Sequence, residues 1–183
     1  GRHWSTANAP GSTPPTLRQY TGRSWLEFDG NTNGFSTAAF SPLASANIFT
    51  VLQPASDETK FAFYTTADGS NTFTATCESG VTTAADSNSG TPSHYVNRTL
   101  VTPLNRSTLI NALKNGATLK VVENRTVDMT NWNRVHFGKY AAGYSFKGDF
   151  FGSIMVPTTF ANSGSTRDNI ETWLAARTGI VLP

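Results

Sequence analysis

Charge, cysteine and long apolar runs are all scarce in this 183-residue chain, and each scarcity excludes a class of protein. Only 14% of the residues are charged and the net charge is +2, too little to indicate binding to nucleic acid. The single cysteine, Cys77, excludes an internal disulfide and a cysteine-based metal site. No apolar run is long enough to cross a membrane, so we expect no membrane insertion.

Polar uncharged side chains are abundant instead, and they indicate a β-rich domain of extracellular or virion type. Thr, Ser, Asn and Gly recur throughout, while hydrophobic residues make up 38% and aromatic residues 11% of the chain. That apolar content is enough for one domain with its own core. In TFTATCE, Phe73, Ala75 and Cys77 alternate with polar residues. We therefore predict that Cys77 is a small core side chain rather than a reactive thiol.

Short alternating runs bounded by turn residues predict a chain built mainly of β-strands. In SWLEFDG, Leu26 and Phe28 fall on one face of the predicted strand. The other face carries Trp25, Glu27 and Asp29. Further strands are predicted over residues 47–54, 60–66, 72–78, 94–102, 117–128, 132–140 and 146–157. The second and third of these predict a hairpin, and the last, apolar on both faces, predicts a central strand covered from both sides.

Three segments lack a clear strand pattern. Residues 1–22, which contain several Pro and Gly residues, predict an extended N-terminal arm. Residues 79–92 are poor in apolar side chains and predict a surface loop. Residues 107–116 carry three apolar residues at helical spacing, so a short helix fits them, but we favour a loop with a single turn.

The tail of the chain predicts a docking helix over residues 166–178. Ser165 can cap its start, Asp168 lies near the positive helix end, and Gly179 can end it. One apolar stripe runs along the helix and consists of Ile170, Trp173 and Leu174. Because a three-turn helix is marginally stable alone in water, we expect it to dock on the strands through the Trp173 stripe.

Four stretches follow one another in a recognisable order. They are PTLRQYTGRSWLEFDGNTNGFST, ATLKVVENRTVD, VHFGKYAAGYSFKGDFFGSIMVP and STRDNIETWLAARTGI. In this order and spacing they resemble the concanavalin A-like lectin/glucanase superfamily, in the laminin-G-like branch found in phage tail and fibre proteins and bacterial surface proteins. The second stretch departs from the family pattern, because Arg125 stands where the family has a turn glycine. The resemblance covers most of the chain.

The resemblance implies an all-β, two-sheet antiparallel jelly-roll sandwich with a short C-terminal helix. It implies one domain over residues 1–183, a module of a longer chain located extracellularly, on a virion tail or surface. Host surface glycan and neighbouring virion subunits are then the expected partners. A homo-oligomer formed through the parent protein is also expected.

The set of carboxylates that a glycosidase of this superfamily needs is incomplete in this sequence. The superfamily's glycosidases carry three carboxylates along one strand, where one acts as nucleophile and another as acid. Here Glu27 and Asp29 share a strand face, but Asn31 and Thr32 stand where the third carboxylate would be. No Gly-x-Ser-x-Gly elbow accompanies the three histidines either. We therefore expect that the protein is not an enzyme.

Aromatic side chains are the candidates for contact with a sugar. WNRVHFG places Trp132, Arg134 and His136 on one predicted strand face. That face is either a plain exposed or partly covered surface or a sugar platform, in which rings contact C–H groups and Arg bonds hydroxyls. Further candidates are Tyr140, Tyr144 and Trp4.

Calcium is the one cofactor that the sequence suggests. Asp29, Asn31 and Asn33 are spaced like the start of a calcium loop, and calcium is known in related laminin-G and lectin domains. The later acidic ligand is missing, because Phe40 occupies its position. We favour an ordinary turn in which the Asp29 side chain bonds the backbone, and we expect no cofactor.

Three functions from different classes remain. The leading hypothesis is a non-catalytic carbohydrate-binding or adhesion module of a phage virion protein, in which many copies make weak binding effective. The alternative is a purely structural virion domain, for capsid decoration or a tail, that packs against neighbouring subunits. A glucanase-like hydrolase is third and disfavoured.

Overall fold

The computed structural model describes residues 4–5, 12–65, 75–85, 91–139, 143–161 and 163–183, with the backbone alone at 4–5 and 117. These residues form twelve strands and two α-helices. The strands are β1 Trp4–Ser5, β2 Thr16–Tyr20, β3 Arg23–Asp29, β4 Phe35–Thr37, β5 Ser45–Pro54, β6 Lys60–Ala62, β7 Thr76–Glu78, β8 Ser93–Val96, β9 Thr99–Leu100, β10 Lys120–Asp128, β11 His136–Phe137 and β12 Lys147–Pro157. The helices are α1 Arg106–Lys114 and α2 Gly164–Thr178.

Most of the strands belong to one seven-stranded antiparallel sheet with the order β2-β3-β12-β5-β10-β8-β9. A three-stranded sheet, β1-β4-β11, and the pair β6-β7 complete the β structure of the described residues. Strand β12 lies between β3 and β5, so a late segment of the chain joins two early ones. The expectation of a mainly β protein is confirmed at this level.

The inner face of the large sheet carries the main core. Phe28 of β3 contacts the rings of Phe35, Phe137, Phe146 and Phe150 with centroid separations between 5.4 and 6.2 Å. These rings come from both sheets and from the segment before β12, so they join the two layers. The same core contains the buried Cys77 and the buried side of α1. The prediction that Cys77 is a core residue is confirmed.

The outer face of the large sheet is covered in part by α2. Phe49, Val51 and Val121 form a small apolar cluster with Leu174 and Ala175 of the helix. Strand β12 supplies residues to this cluster and to the main core, since its side chains alternate between the two faces. The prediction of a central strand is therefore confirmed, whereas the expected cover on both sides is only partial, since Phe150 is the one fully buried residue of β12.

Residues 107–116 are mostly helical, so the preference for a loop there is wrong. Asn105 caps α1 by accepting from the Thr108 backbone N–H at 2.8 Å, and the Thr108 hydroxyl closes a reciprocal capping box. The three apolar residues at helical spacing are Leu109, Ile110 and Leu113, and all are buried in the core. Their helical spacing therefore correctly indicated a helix. Burial of these residues stabilises α1, which is too short to be stable alone in water.

The tail helix forms, but it docks differently from the expectation. Ser163 caps it rather than Ser165, and its side chain accepts from the Thr166 N–H. Gly179 ends the helix in a left-handed conformation, as predicted. Trp173 is 51% exposed, so the prediction that it docks is wrong, and Leu174 with Ala175 makes the contact instead.

Other strand predictions are met in part. Strands β6 and β7 pair antiparallel as the predicted hairpin, although residues 66–74 between them lie outside the described part. The predicted arm includes the edge strand β2. In the described residues 132–139 of the predicted strand 132–140, β11 is the one strand that forms. In the described part of the chain, neither helix has the length and apolar character needed to cross a membrane.

Candidate functional site

The part of the outer face beside α2 carries a group of polar and aromatic side chains that we call the outer-face patch: Arg18, Trp25, Glu27, Gln53 and Asp149. Strand register makes them neighbours, because Trp25 lies opposite Arg18 and Asp149 lies opposite both Glu27 and Gln53. In antiparallel strands, residues directly opposite project from the same face. Four strands from three separate regions of the sequence thus build one surface.

Trp25 is the aromatic centre of the patch. Its ring stacks on Phe151 with a centroid separation of 5.6 Å and an interplanar angle of 20°. Asp149 lies on the same face, and the Trp25 indole N–H acts to lower the pKa of its carboxyl. Among the residues that the structure describes, no second ring stacks on Trp25. The side chain is half-buried, which leaves part of the indole open to solvent.

Two carboxylates face each other beside this ring. Glu27 accepts from Arg18 Nε at 2.6 Å in an ion pair that is half exposed on both sides. Asp149 lies opposite Glu27, which for a directly paired position places the Cβ atoms about 5 Å apart. Burial raises the pKa of Asp149 and the negative charge of Glu27 raises it further, while the Trp25 N–H and Arg18 act to lower it. Asp149 is therefore a carboxylate whose charge is poorly compensated.

A groove of about 510 Å³ opens from the two carboxylates toward the end of α1. Its lining includes Glu27, Gln53, Lys114, Thr118, Lys147 and Asp149. Gly148 forms part of it with a φ of +141°, and a Cβ there would lie 2.2 Å from the Gln53 carbonyl oxygen. Only glycine allows β12 and β5 to approach this closely at that point.

A buried carboxylate holds one wall of the groove in place. Glu58 accepts from the backbone N–H of Lys147 at 2.6 Å and from those of Thr59 and Lys60. Burial raises the pKa of Glu58, and these N–H donors act against that rise. The Lys147 ammonium extends outward to Asp57, so the groove wall is fixed by backbone and side-chain contacts.

The predicted exposed face of Trp132, Arg134 and His136 does not form. Trp132 is 1% exposed and His136 is also buried, while Arg134 is exposed. Residues 132–135 are not a strand, so strict alternation fails, and Val135 beside His136 is buried too. The premise that Trp132 and His136 present a surface is therefore wrong. Ligand contact by Arg134 stays a prediction.

Tyr144 lies elsewhere, among charged partners. Its hydroxyl donates to Glu78 Oε2 at 2.7 Å and accepts from Arg106 at 3.2 Å. The Lys60 ammonium lies 5.2 Å from the ring centroid. Protein groups thus engage both its hydroxyl and its ring, and its role in ligand contact stays a prediction. Tyr140 and the Trp4 side chain lie outside the described residues.

The Asp29 segment is the turn that the sequence favoured. One Asp29 oxygen accepts from the backbone N–H groups of Asn31, Thr32 and Asn33 at 2.8–3.0 Å, and the other accepts from the Thr32 hydroxyl. Asn33 accepts from the Asp29 N–H in return. Burial acts to raise the pKa of Asp29, but these hydrogen bonds outweigh it and lower the pKa to about 2. Calcium binding by this triad stays a prediction.

Sequence reasoning identified the strand face of Trp25 and Glu27 but missed the patch. Asp149 and Gln53 come from strands whose pairing with β3 and β12 depends on the order of the whole sheet. The alternation in SWLEFDG was the available signal for half of the site.

Comparisons with known proteins add no information about this site. No family model, no curated protein and no solved structure matches the chain.

Proposed function

We propose that this protein is a non-catalytic carbohydrate-binding module, and that it contacts glycan through the outer-face patch. The finer fold assignment belongs to the same proposal: a jelly-roll sandwich of the concanavalin A-like, laminin-G-like type. An antiparallel seven-stranded sheet, a smaller sheet packed on its inner face and a C-terminal helix support that assignment. So do the four sequence stretches that resemble the superfamily.

The observation that carries the proposal is the Trp25 indole, which stacks on Phe151 and shares a sheet face with Glu27 and Asp149, two residues that line the groove. Sugars bind where an ordered ring presents an apolar face beside groups that bond hydroxyls. Here Asp149, Gln53 and Glu27 supply the polar groups next to such a ring. A ring fixed before binding loses little side-chain entropy when the ligand arrives.

A virion location is the second part of the proposal. Its support is the resemblance to domains of phage tail and fibre proteins, together with a sequence rich in Thr, Ser and Asn. A single shallow patch binds weakly, and repeated copies on one particle convert weak contacts into stable attachment to a host surface.

A glycan array tests the proposal directly. We expect the full chain to bind a subset of bacterial surface polysaccharides, and Trp25→Ala to weaken that binding about tenfold or more. Trp173→Ala is the matched control, because Trp173 is also a partly exposed tryptophan but lies on α2. Equal binding by the Trp25 variant, or loss only in the Trp173 variant, would contradict the assignment of the site. Cleavage of bound glycan that disappears in Glu27→Gln would contradict a non-catalytic role.

A structural virion domain is the second candidate, and the edge strand β2 favours it. All five of its residues are exposed, with Leu17 at 61% and Tyr20 at 75%. Exposed apolar side chains on a sheet edge are a common site of contact with another chain. If no glycan binds while Leu17→Ser prevents assembly into the parent particle, the structural function replaces the adhesive one.

A further inference from the structure

The charges of the outer-face patch are unevenly compensated. Glu27 is paired with Arg18, and the nearby Lys147 is paired with Asp57. Asp149 has no cationic partner within ion-pair distance among the described residues, although the Trp25 indole N–H and the more distant Arg18 charge act to lower the pKa of its carboxyl. It also lies opposite a second carboxylate, Glu27, in the strand register. The patch thus keeps one negative charge that a ligand can compensate.

An aromatic ring borders that charge. Asp149 lies opposite Glu27, and Trp25 is two residues before Glu27 on the same strand face, so a cation that approaches Asp149 also approaches the indole. Ring faces attract ammonium groups most strongly when the ring is tryptophan. An ammonium group would therefore donate to the carboxylate and contact the ring at the same time. It would also screen the repulsion between Asp149 and Glu27.

We infer that the outer-face patch selects glycans that carry a free, protonated amino group, that is, amino sugars that are not N-acetylated. This inference rests on the proposed carbohydrate-binding function and names the substrate class of the same site. Its basis is the juxtaposition of Asp149, which has no ion-pair partner among the described residues, with the facing Glu27 and the stacked Trp25, where the two carboxylates line the groove.

Neutral and acidic sugars fit the patch less well. A hydroxyl can donate to Asp149, but it compensates no charge. A sugar carboxylate meets two protein carboxylates, and the one arginine of the patch, Arg18, is already paired with Glu27. Attraction of a cationic glycan to the protein as a whole is not an alternative source of selectivity, because the chain carries a net charge of +2.

The test compares a glucosamine tetramer with the N-acetylglucosamine tetramer, which differs only at nitrogen, and with a glucuronic acid oligomer. Titration calorimetry on the full chain at pH 6 keeps the amines mostly protonated. We expect the glucosamine tetramer to bind about tenfold more tightly than its acetylated counterpart, since one desolvated cation contact is worth about that factor. The acidic oligomer should bind most weakly.

Asp149→Asn keeps the shape of the side chain and removes its charge. We expect this variant to bind both tetramers equally. The matched control is Asp168→Asn, which makes the same charge change at an exposed position of α2 and should keep the preference. Should the Asp149 variant fold poorly, the Trp25 indole N–H resonance of the unmodified protein gives a second readout, and it should shift with glucosamine.

The outcomes separate this inference from the function on which it depends. If neither tetramer nor any arrayed glycan binds in a Trp25-dependent way, the proposed function fails. If both tetramers bind equally and Trp25→Ala abolishes both, the function stands and the selectivity is overturned. Selectivity that persists in Asp149→Asn, or tighter binding of the acidic oligomer, overturns it as well.

Discussion

The two faces of the seven-stranded sheet are stabilised by different means. The inner face packs rings against rings around Phe28. Its buried hydroxyl chain is bonded throughout: Tyr64 contacts Thr50 at 2.5 Å and donates to Ser153 at 2.9 Å. Ser153 in turn donates to the Phe49 carbonyl oxygen. Little on this face depends on charge.

The outer face depends on charged groups. Glu171, on the buried side of α2, is 1% exposed and accepts from Arg98 at 3.1 Å. The buried Glu123 of β10 accepts from Arg125 at 2.6 Å. Burial raises the pKa of both carboxylates, and their arginine partners act to lower it. Arg98 also donates to the Thr172 hydroxyl and to the backbone oxygens of Asp168 and Pro183. This contact holds the helix to the sheet.

This difference between the two faces shows which face contributes most of the stability and which fixes the arrangement of its groups. Ring packing stabilises in proportion to the apolar area removed from water. Buried ion pairs lose much of their Coulomb energy to desolvation, yet they fix one arrangement of the partners. The inner face therefore supplies most of the stability, whereas the outer face fixes the position of α2 and leaves a polar surface for a ligand.

Phe28→Ala should have the largest effect. The side chain is 2% exposed and contacts four other rings, so its removal leaves a cavity between the two layers. We expect a loss of about 3–5 kcal/mol in the free energy of unfolding, measured by urea denaturation. Phe151→Ala, on the outer face, should lose less than half as much because Phe151 is only partly buried. Equal losses would contradict the contrast between the faces.

Arg98→Met tests the polar contact under α2. It leaves the buried Glu171 without its cationic partner, which should lower the free energy of unfolding by about 2–3 kcal/mol. The double variant Arg98→Met with Glu171→Met replaces the pair by apolar groups and should recover most of that loss. Thermal denaturation of the single and double variants measures this difference. A double variant as unstable as the single one would show that the pair itself supplies the stability.

Tyr64→Phe removes the middle of the hydroxyl chain on the inner face. Thr50 and Ser153 then lose a buried partner, and we expect a loss of about 1–2 kcal/mol in denaturant unfolding. Thr130→Val, at an exposed hydroxyl that bonds Asp128, is the control and should cost less. Equal losses in the free energy of unfolding at the two sites would show that burial of the hydroxyl chain does not increase its contribution to stability.

Local signals in the sequence predicted the elements better than their assembly. The alternation in SWLEFDG correctly separated the Phe28 face from the Trp25 face, and Gly179 correctly marked the end of α2. These features depend on neighbours within a few residues, so a pattern can report them. By contrast, α1 depends on burial of its apolar side in the core, which its short sequence alone does not reveal.

The candidate site was predictable only in part, for the same reason. Glu27 lies beside Trp25 in sequence, but Asp149 reaches it because β12 is inserted between β3 and β5. Sheet order is a non-local property, set by packing across the whole domain. The prediction that Trp132 belongs to a sugar platform is wrong for a local reason. Tryptophan is a residue type that suits such a platform, but the irregular backbone before β11 places Trp132 in the core.

Asp29→Asn sharpens the comparison at the edge of the outer face. The pKa of Asp29 is lowered from 3.8 to about 2, so its ionised form contributes stability above pH 4 that is lost as the pH falls toward 2. Because the loop is exposed, we expect a loss of only about 1 kcal/mol at pH 7. Denaturant unfolding of the variant and the unmodified protein should differ at pH 7 and converge near pH 2. A difference that is independent of pH would assign the effect to turn geometry alone.

Trp173→Ala should have the smallest effect, and its neighbour provides the contrast. Trp173 is 51% exposed and contacts Arg177, whose guanidinium lies 4.9 Å from the ring centroid. The loss of this surface contact is offset by the higher helix propensity of alanine, so the free energy of unfolding should change by less than about 0.5 kcal/mol. Leu174→Ala removes the buried contact with the sheet and should lose about 2–3 kcal/mol. Thermal unfolding of the two variants decides which residue docks the helix, and a larger loss for Trp173→Ala would restore the docking role that the sequence predicted for it.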